Sequence, residues 1–402
     1  MAKQIYNFEV FTHKKEQLRR IQRVRTRRLW ARRIFLAGIL VIILIVLYFL
    51  QNSRCYYYSY QNERDTETSS GVAYETFADG YIKYSSDGVE YQKRFGKAVW
   101  NSSVTCRHPY MVTSSSYAVL TDKSSNVLTI FDENGLVNTL QLKYPVLQAG
   151  VSDQGIIEVI LEGSSSSFIQ VYDSEGNIIA DMKSSVDETG YPVTAAISPD
   201  GSQLAVSYFT IAGMNARTRV AIYDFSRQLQ GDSVTLKGGF DYDDLMIPKL
   251  SFTRKDILAA FGEDRTFFYN VAGEPEEMRV VEFDEKIESV FEGKNYIGYI
   301  LDNSEDLAEG QYRLRLFNRK GNEQLNVPVD MNYDSICMIG REIFATRDNE
   351  CTILNSRGKV LFQETLDGNG IESILPAFGW RSYHVVFRDK VVKMNLRFWG
   401  KE

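Results

Sequence analysis

Two hydrophobic patterns divide the chain. From Ile34 to Leu50 the run "IFLAGILVIILIVLYFL" holds seventeen consecutive residues without a charge, long enough as a helix to cross a hydrocarbon core ~30 Å thick. From Val72 to the end the grammar changes. Short segments rich in Val, Ile, Tyr and Phe alternate apolar with polar positions, and Asp-Gly, Asn-Gly and Ser-rich turns separate them. That is the period-two signature of half-buried strands. The pattern predicts one apolar helix followed by an all-β domain.

The strands recur as a unit, which is the first mark of a repeat architecture. An apolar strand ends in Asp or Asn, turns through a nearby Gly and enters a second strand: "TIFDENGLVNTL" from Thr129, "QVYDSEGNIIAD" from Gln170, "FFYNVAGEPEEM" from Phe267, "RLFNRKGNEQLN" from Arg315 and "TILNSRGKVLFQ" from Thr352. A degenerate copy, "AIYDFSRQ" from Ala221, lacks the glycine; "VEYQKRFGKAVW" from Val89 keeps it without the acid. "KVVKMNLRFW" from Lys390 is an eighth strand with no hairpin after it. The strand-end markers Tyr91, Phe131, Tyr172, Tyr223, Tyr269, Phe317, Leu354 and Met394 are 40, 41, 51, 46, 48, 37 and 40 residues apart, the period of four-stranded propeller blades. Eight blades are favoured, with seven as the alternative. The strand "VAYETF" from Val72 is expected to complete the last blade beside "VVKMNL", because an open ring would leave unpaired edges.

Conserving turn chemistry in this way is a backbone requirement. Asp and Asn bond their own backbone a few residues on, and Gly takes positive φ without a Cβ penalty. Asp132 with Gly135, Asp173 with Gly176, Asn318 with Gly321 and Asn355 with Gly358 are therefore read as structural turns. So are Ser198, Pro199, Asp200 and Gly201 in "AAISPDGSQLAVSYF", which separate a strand at Ala195–Ser198 from the alternation of Leu204, Val206 and Tyr208. The Ser198 hydroxyl has no neighbouring base in this pattern.

Charge adds topology. The net charge of −6 hides eleven Lys or Arg against Glu9 and Glu16 in residues 1–33, a balance of +9 that leaves −15 for the remainder. Basic flanks stay on the cytoplasmic side, and no small-x-small cleavage site follows the apolar run. The expectation is a basic cytoplasmic tail (1–33), a signal-anchor helix (34–50), a polar linker (51–71) and an extracytoplasmic propeller (72–402). The tail would meet anionic headgroups, and the bilayer would hold Ile34 to Leu50. No groove-reading motif accompanies the basic residues, so nucleic acid is not an expected partner. Cys55 is read as an ordinary juxtamembrane residue, and Cys337 and Cys351 as strand neighbours whose pairing spacing cannot decide.

The turn in "AAISPDGSQLAVSY" is similar to turns of TolB-like bacterial propellers, and "VYDSEGNII" resembles hairpins of YVTN and quinoprotein-like propellers. The basic tail, single span, "GYPVTAAISPDGSQLAVSY" and remaining propeller together resemble a family of membrane-anchored proteins of Gram-positive bacteria with a domain of unknown function. That resemblance implies a place in the cell envelope and brings no catalytic residues.

Enzyme chemistry finds little footing. Beyond the apolar run only His108 and His384 occur, there is no G-x-S-x-G elbow, and Trp100, Trp380 and Trp399 show no cofactor pattern, so neither a histidine-rich metal site nor a hydrolase triad is indicated. No catalytic residue and no cofactor are expected. "DYDD" offers Asp241, Asp243 and Asp244, and "DNSEDLAEG" offers Asp302 and Asp306, as candidate calcium ligands, but neither has EF-hand spacing and solvated loops are the favoured reading. Loops at 209–219, 226–247 and 301–311 are the candidate partner contacts. The function expected is a non-catalytic, membrane-anchored module binding an envelope protein or wall polymer; the alternative is a ligand sensor or hydrolase using the central channel.

Overall fold

Among the described residues the alternating segments fold into 32 strands that form eight four-stranded antiparallel sheets. The computed structural model describes residues 30–65, 71–122, 125–212, 215–226, 234–303 and 310–398, except Ala31 and Leu47. The basic tail expected to meet headgroups lies outside the described residues. Two compact units result, Met1–Arg54 and Cys55–Glu402. In the first, the apolar run forms the helix Arg32–Asn52, long and apolar enough to span a bilayer or to serve as a signal sequence.

The second unit is an eight-bladed propeller. Blades 1 to 7 are residues 73–103, 109–141, 146–184, 191–243, 249–282, 287–329 and 335–365, each a simple meander in sequence order. Blade 8 combines residues 371–397 with the strand Tyr57–Asp65, in the order Tyr57–Asp65, Lys390–Arg397, Ser382–Phe387, Ile371–Pro376. First strands of neighbouring blades lie side by side at six of the eight seams, including that of blades 1 and 8, and so surround the axis. All eight strand-end markers fall on the third strand of their blade, which is why their spacing reported the blade number.

Ring closure differs from the expectation. The strand at Val72 is not the closing one: Ala73–Phe77 is the innermost strand of blade 1. The closing strand comes from the stretch read as linker, where Tyr57, Tyr58, Ser59 and Tyr60 pair antiparallel with Arg397, Leu396, Asn395 and Met394. An outermost strand has one face and one edge in water, so "YYSYQNERD" needs little apolar alternation. Cys55 is likewise not a juxtamembrane bystander. It is 1% exposed, its amide donates to the Leu361 carbonyl at 2.7 Å, and its Sγ accepts from Arg381 at 3.0 Å.

The core lies between blades. Eight buried apolar clusters each join two neighbours, as Val119 meets Val159 between blades 2 and 3 and Leu314 meets Ile343 between blades 6 and 7. The seam between blades 8 and 1 has the fewest buried members, Tyr81, Leu375 and Val386. Polar contacts supplement it there: the His384 ring packs 5.4 Å from Tyr81 and its Nε2 reaches the Arg94 carbonyl at 3.1 Å. Cys337 and Cys351 sit on the first and third strands of blade 7, with Glu342–Arg347 between them, and both are free thiols. They are not neighbours on successive strands; burial pushes them up to about 11 and about 12.

Candidate functional site

Because every blade is a meander with its first strand innermost, connections sort by end. Turns between first and second strands, and between third and fourth, share one end, the turn face. Second-to-third and blade-to-blade connections share the other, the loop face.

The repeated motifs belong to the turn face. At Ser198–Gly201 the Ser198 hydroxyl donates to Asp200 Oδ1 at 2.7 Å and accepts from the amides of Ser202 at 3.1 Å and Gln203 at 3.0 Å. Gly201 has φ +70°, and a Cβ there would stand 2.5 Å from Ile156 of the preceding blade. Pro199 contributes its carbonyl, which accepts from the Asp153 amide at 3.0 Å. In the hairpins, Asp132 Oδ1 caps the amides of Asn134 and Gly135, and Asp173 Oδ1 that of Asn177. Asn318 Oδ1 accepts from Lys320 and Asn322, and Asn355 Oδ1 from Arg357 and Lys359. Gly176, Gly321 and Gly358 each return a backbone bond to the capping residue at about 3 Å. These side chains are occupied in holding turns, with no substrate-facing group among them.

The loop face carries a groove of about 810 Å³, lined by blades 4 and 5 and by the connection that leads to blade 6. Its floor is apolar: Leu245, Phe267, Val280 and Phe283, the last with its ring tilted against Tyr299 at 4.5 Å. Its rim is acidic. Asp243 and Asp244 come from blade 4, Glu263, Asp264, Glu277 and Glu282 from blade 5, and Asp284 and Glu285 from the following connection; against these eight carboxylates stand Arg265 and Lys286. Arg265 is already committed, with Nε and Nη2 each 2.8 Å from Asp264 and Nη1 3.2 Å from Glu282. Its hydrogen bonds hold the Asp264 carboxyl below the usual range.

The candidate calcium ligands do not converge. Asp241 forms a two-pronged pair with Arg219 at 2.7 and 3.0 Å, which lowers its pKa, and Asp243 pairs with Arg217 at 2.8 Å. Asp302 ends a strand of blade 6, its amide bonded to the Lys286 carbonyl, and Asp306 lies outside the described residues. Among the described residues no group of three His, Cys, Asp or Glu is placed to hold a metal. Of the expected loops, the described part of 209–219 is strand, on Gln203–Ala212 and Asn215–Asp224, while 226–247 contains the strand Thr235–Asp243 and its residues 227–233 lie outside the described residues.

Sequence reasoning missed one buried acid. Glu158, on the second strand of blade 3, is 1% exposed, and its Oε2 has no hydrogen-bond partner. It fits because Gly150 faces it on the innermost strand: a Cβ on Gly150 would stand 2.3 Å from Glu158 Oε1. Burial pushes Glu158 up to about 8. The signal available in sequence was a glutamate inside the otherwise apolar "IIEVIL".

The fold resembles Sqt1 of Saccharomyces cerevisiae, at TM-score 0.52 and 9% identity over 85% of this chain and 99% of that one. It also resembles apo AztD from Citrobacter koseri, at TM-score 0.50 and 11% identity over 75% and 87%. At these identities the likeness shows the propeller fold alone. No curated protein matches the chain. The sequence pattern of the family of unknown function DUF5711 covers residues 51–396, from the end of the apolar helix through the last blade, and the chain belongs to that family.

Proposed function

We propose that this protein is a membrane-tethered binding module whose propeller presents its loop-face groove to an envelope partner carrying a basic, partly apolar segment. The observation that carries the reading is the groove itself, an apolar floor ringed by eight carboxylates and two cations. Such a lining attracts a cationic chain electrostatically while the floor rewards its apolar side chains. The helix Arg32–Asn52 and the basic excess before it support a tether with the amino terminus cytoplasmic and the propeller outside. A cell envelope of the Gram-positive type, with its membrane-associated proteins and wall polymers, is the setting this reading assigns.

The test is cross-linking in native membranes from a photoreactive residue at Glu263, with the partner's linked segment sequenced. A basic segment whose capture falls steeply with salt and disappears in Asp284→Lys supports the reading. Equal capture by the wild type and the reversed groove overturns it.

A ligand in the channel has one observation in its favour, the Glu158 carboxyl, whose Oε2 has no hydrogen-bond partner and whose Oε1 lies over Gly150 of the innermost strand. Its check is proton uptake or release on adding a panel of small amines and polyols to the purified protein; no change in either would remove this second reading.

A further inference from the structure

The turn face has a surface that no turn requires. Where blades 8 and 1 meet, Phe95 is 63% exposed, Phe378 57% and Trp380 50%. Phe95 and Phe378 stack at 4.3 Å, and Trp380 lies 5.3 Å from Phe398. The Phe378 amide donates to the Arg94 carbonyl at 3.4 Å, so the third-to-fourth turn of blade 1 and the first-to-second turn of blade 8 form one platform. Arg381 fixes its edge: it is 6% exposed, holds φ +47°, lies 3.6 Å from Glu342 and sits 4.9 Å from the Trp380 ring. Contiguous exposed rings of this kind mark an interaction surface.

Charge identifies what covers it. On this face the turns of blades 6, 7 and 1 carry exposed Lys294, Lys320, Arg341, Arg357, Lys359 and Lys97, and the sole nearby acid in blade 1, Asp79, pairs with Arg94 at 3.2 Å. Among the described residues the turns of blades 2 to 5 carry Glu133, Asp153, Glu175, Asp200, Asp256 and Glu274 instead, with Arg254 and Lys255 as basic members. The basic half is centred on the place where the chain joins the ring. Only Ser53 and Arg54 separate the helix Arg32–Asn52 from the core residue Cys55, a covalent reach of roughly 10 Å. Aromatic rings beside Lys and Arg are the composition of a membrane interface.

We propose that the turn face of blades 8 and 1 rests on an anionic lipid surface, with Phe95, Phe378 and Trp380 in its headgroup layer. The inference rests on the tether reading above and adds an orientation: the loop-face groove would then point away from the bilayer.

The experiment uses the full-length protein in phosphatidylglycerol-containing nanodiscs, with lipids brominated near the headgroup or unbrominated. The fluorescence share of Trp380 is the difference between wild type and Trp380→Phe, and that of Trp30 the difference from Trp30→Phe. We expect bromination to reduce the Trp380 share by about twofold or more, and the Phe95→Ser/Phe378→Ser double variant, altered at exposed positions, to weaken that quenching. Quenching of Trp30 without quenching of Trp380 overturns the proposal and leaves the tether standing. Absence of quenching at both overturns the tether and the proposal with it. Protection of Trp380 from aqueous iodide without lipid quenching assigns the platform to a second copy of the chain and overturns the proposal as well.

Discussion

At the turn face around blades 8 and 1, exposed aromatic rings lie among lysines and arginines; at the loop face of blades 4 to 6, carboxylates ring an apolar floor. The two ends belong to the same strands and share one core. Their chemistry differs because the motif fixes only part of each turn. Asp132, Asp173, Asn318 and Asn355 are consumed by capping their own backbones, whereas Phe95 occupies a turn in "KRFGK" that dispenses with an acidic cap. Where the backbone does not demand a side chain, the surface is available for binding. The contrast teaches that the repeated residues identify the scaffold and the departures from the repeat identify the surfaces.

The largest effect is expected from Arg381→Ala. Removing that guanidinium leaves the partly buried Glu342 with only the Tyr383 hydroxyl as partner and releases the contact to Cys55, which should cost about 3 kcal/mol or more. Urea unfolding is the check, and a loss below that of an exposed arginine would show that the platform does not depend on it.

Glu158→Gln sharpens the comparison from the buried interior, which belongs to neither face. Burial raises the folded-state carboxyl from 4.5 to about 8, so the contribution of this one group to stability is fully present below pH 4.5 and is lost as pH rises towards 8. The amide does not titrate. The variant should gain relative to the wild type by roughly 3 kcal/mol at pH 7, and the gap should close near pH 4.5. Melting temperatures of both proteins across that range measure it; a gap independent of pH would contradict the buried, partnerless carboxyl.

Asp200→Ala removes the acceptor shared by Ser198 and Ser202 and should cost about 1 kcal/mol, with no change in partner capture. A binding defect without a stability defect would move that turn from scaffold to site. Asp284→Lys should do the reverse, shifting stability by less than about 0.5 kcal/mol while abolishing salt-sensitive capture, read by unfolding and cross-linking on the same preparation.

Much of the scaffold was legible in the sequence because strands and turns are local. The eight markers landed on eight third strands, and the "SPDG" reversal formed where alternation resumed at Leu204. The closing strand was not legible, since Tyr57–Asp65 pairs with residues more than three hundred positions away and only its partner supplies the core. Nothing local in the sequence marks Phe95, Phe378 and Trp380 as surface residues; their exposure follows from which turns meet in the ring. The groove was partly visible. Asp243 and Asp244 stood out as possible calcium ligands, but their association with Glu263 and Asp284 depends on the connections of three blades sharing one end. Sorting each connection by face before reading its charge would have found it.

The central claim, that partner binding belongs to the loop face, is tested most directly by placing one photoreactive residue at Glu263 and, in a separate protein, one at Glu133 on the turn face, and comparing cross-linked products in native membranes. The account predicts a specific product from position 263 that vanishes at high salt and in Asp284→Lys, with none from position 133. Products of equal yield from both positions, or from position 133 alone, would contradict it.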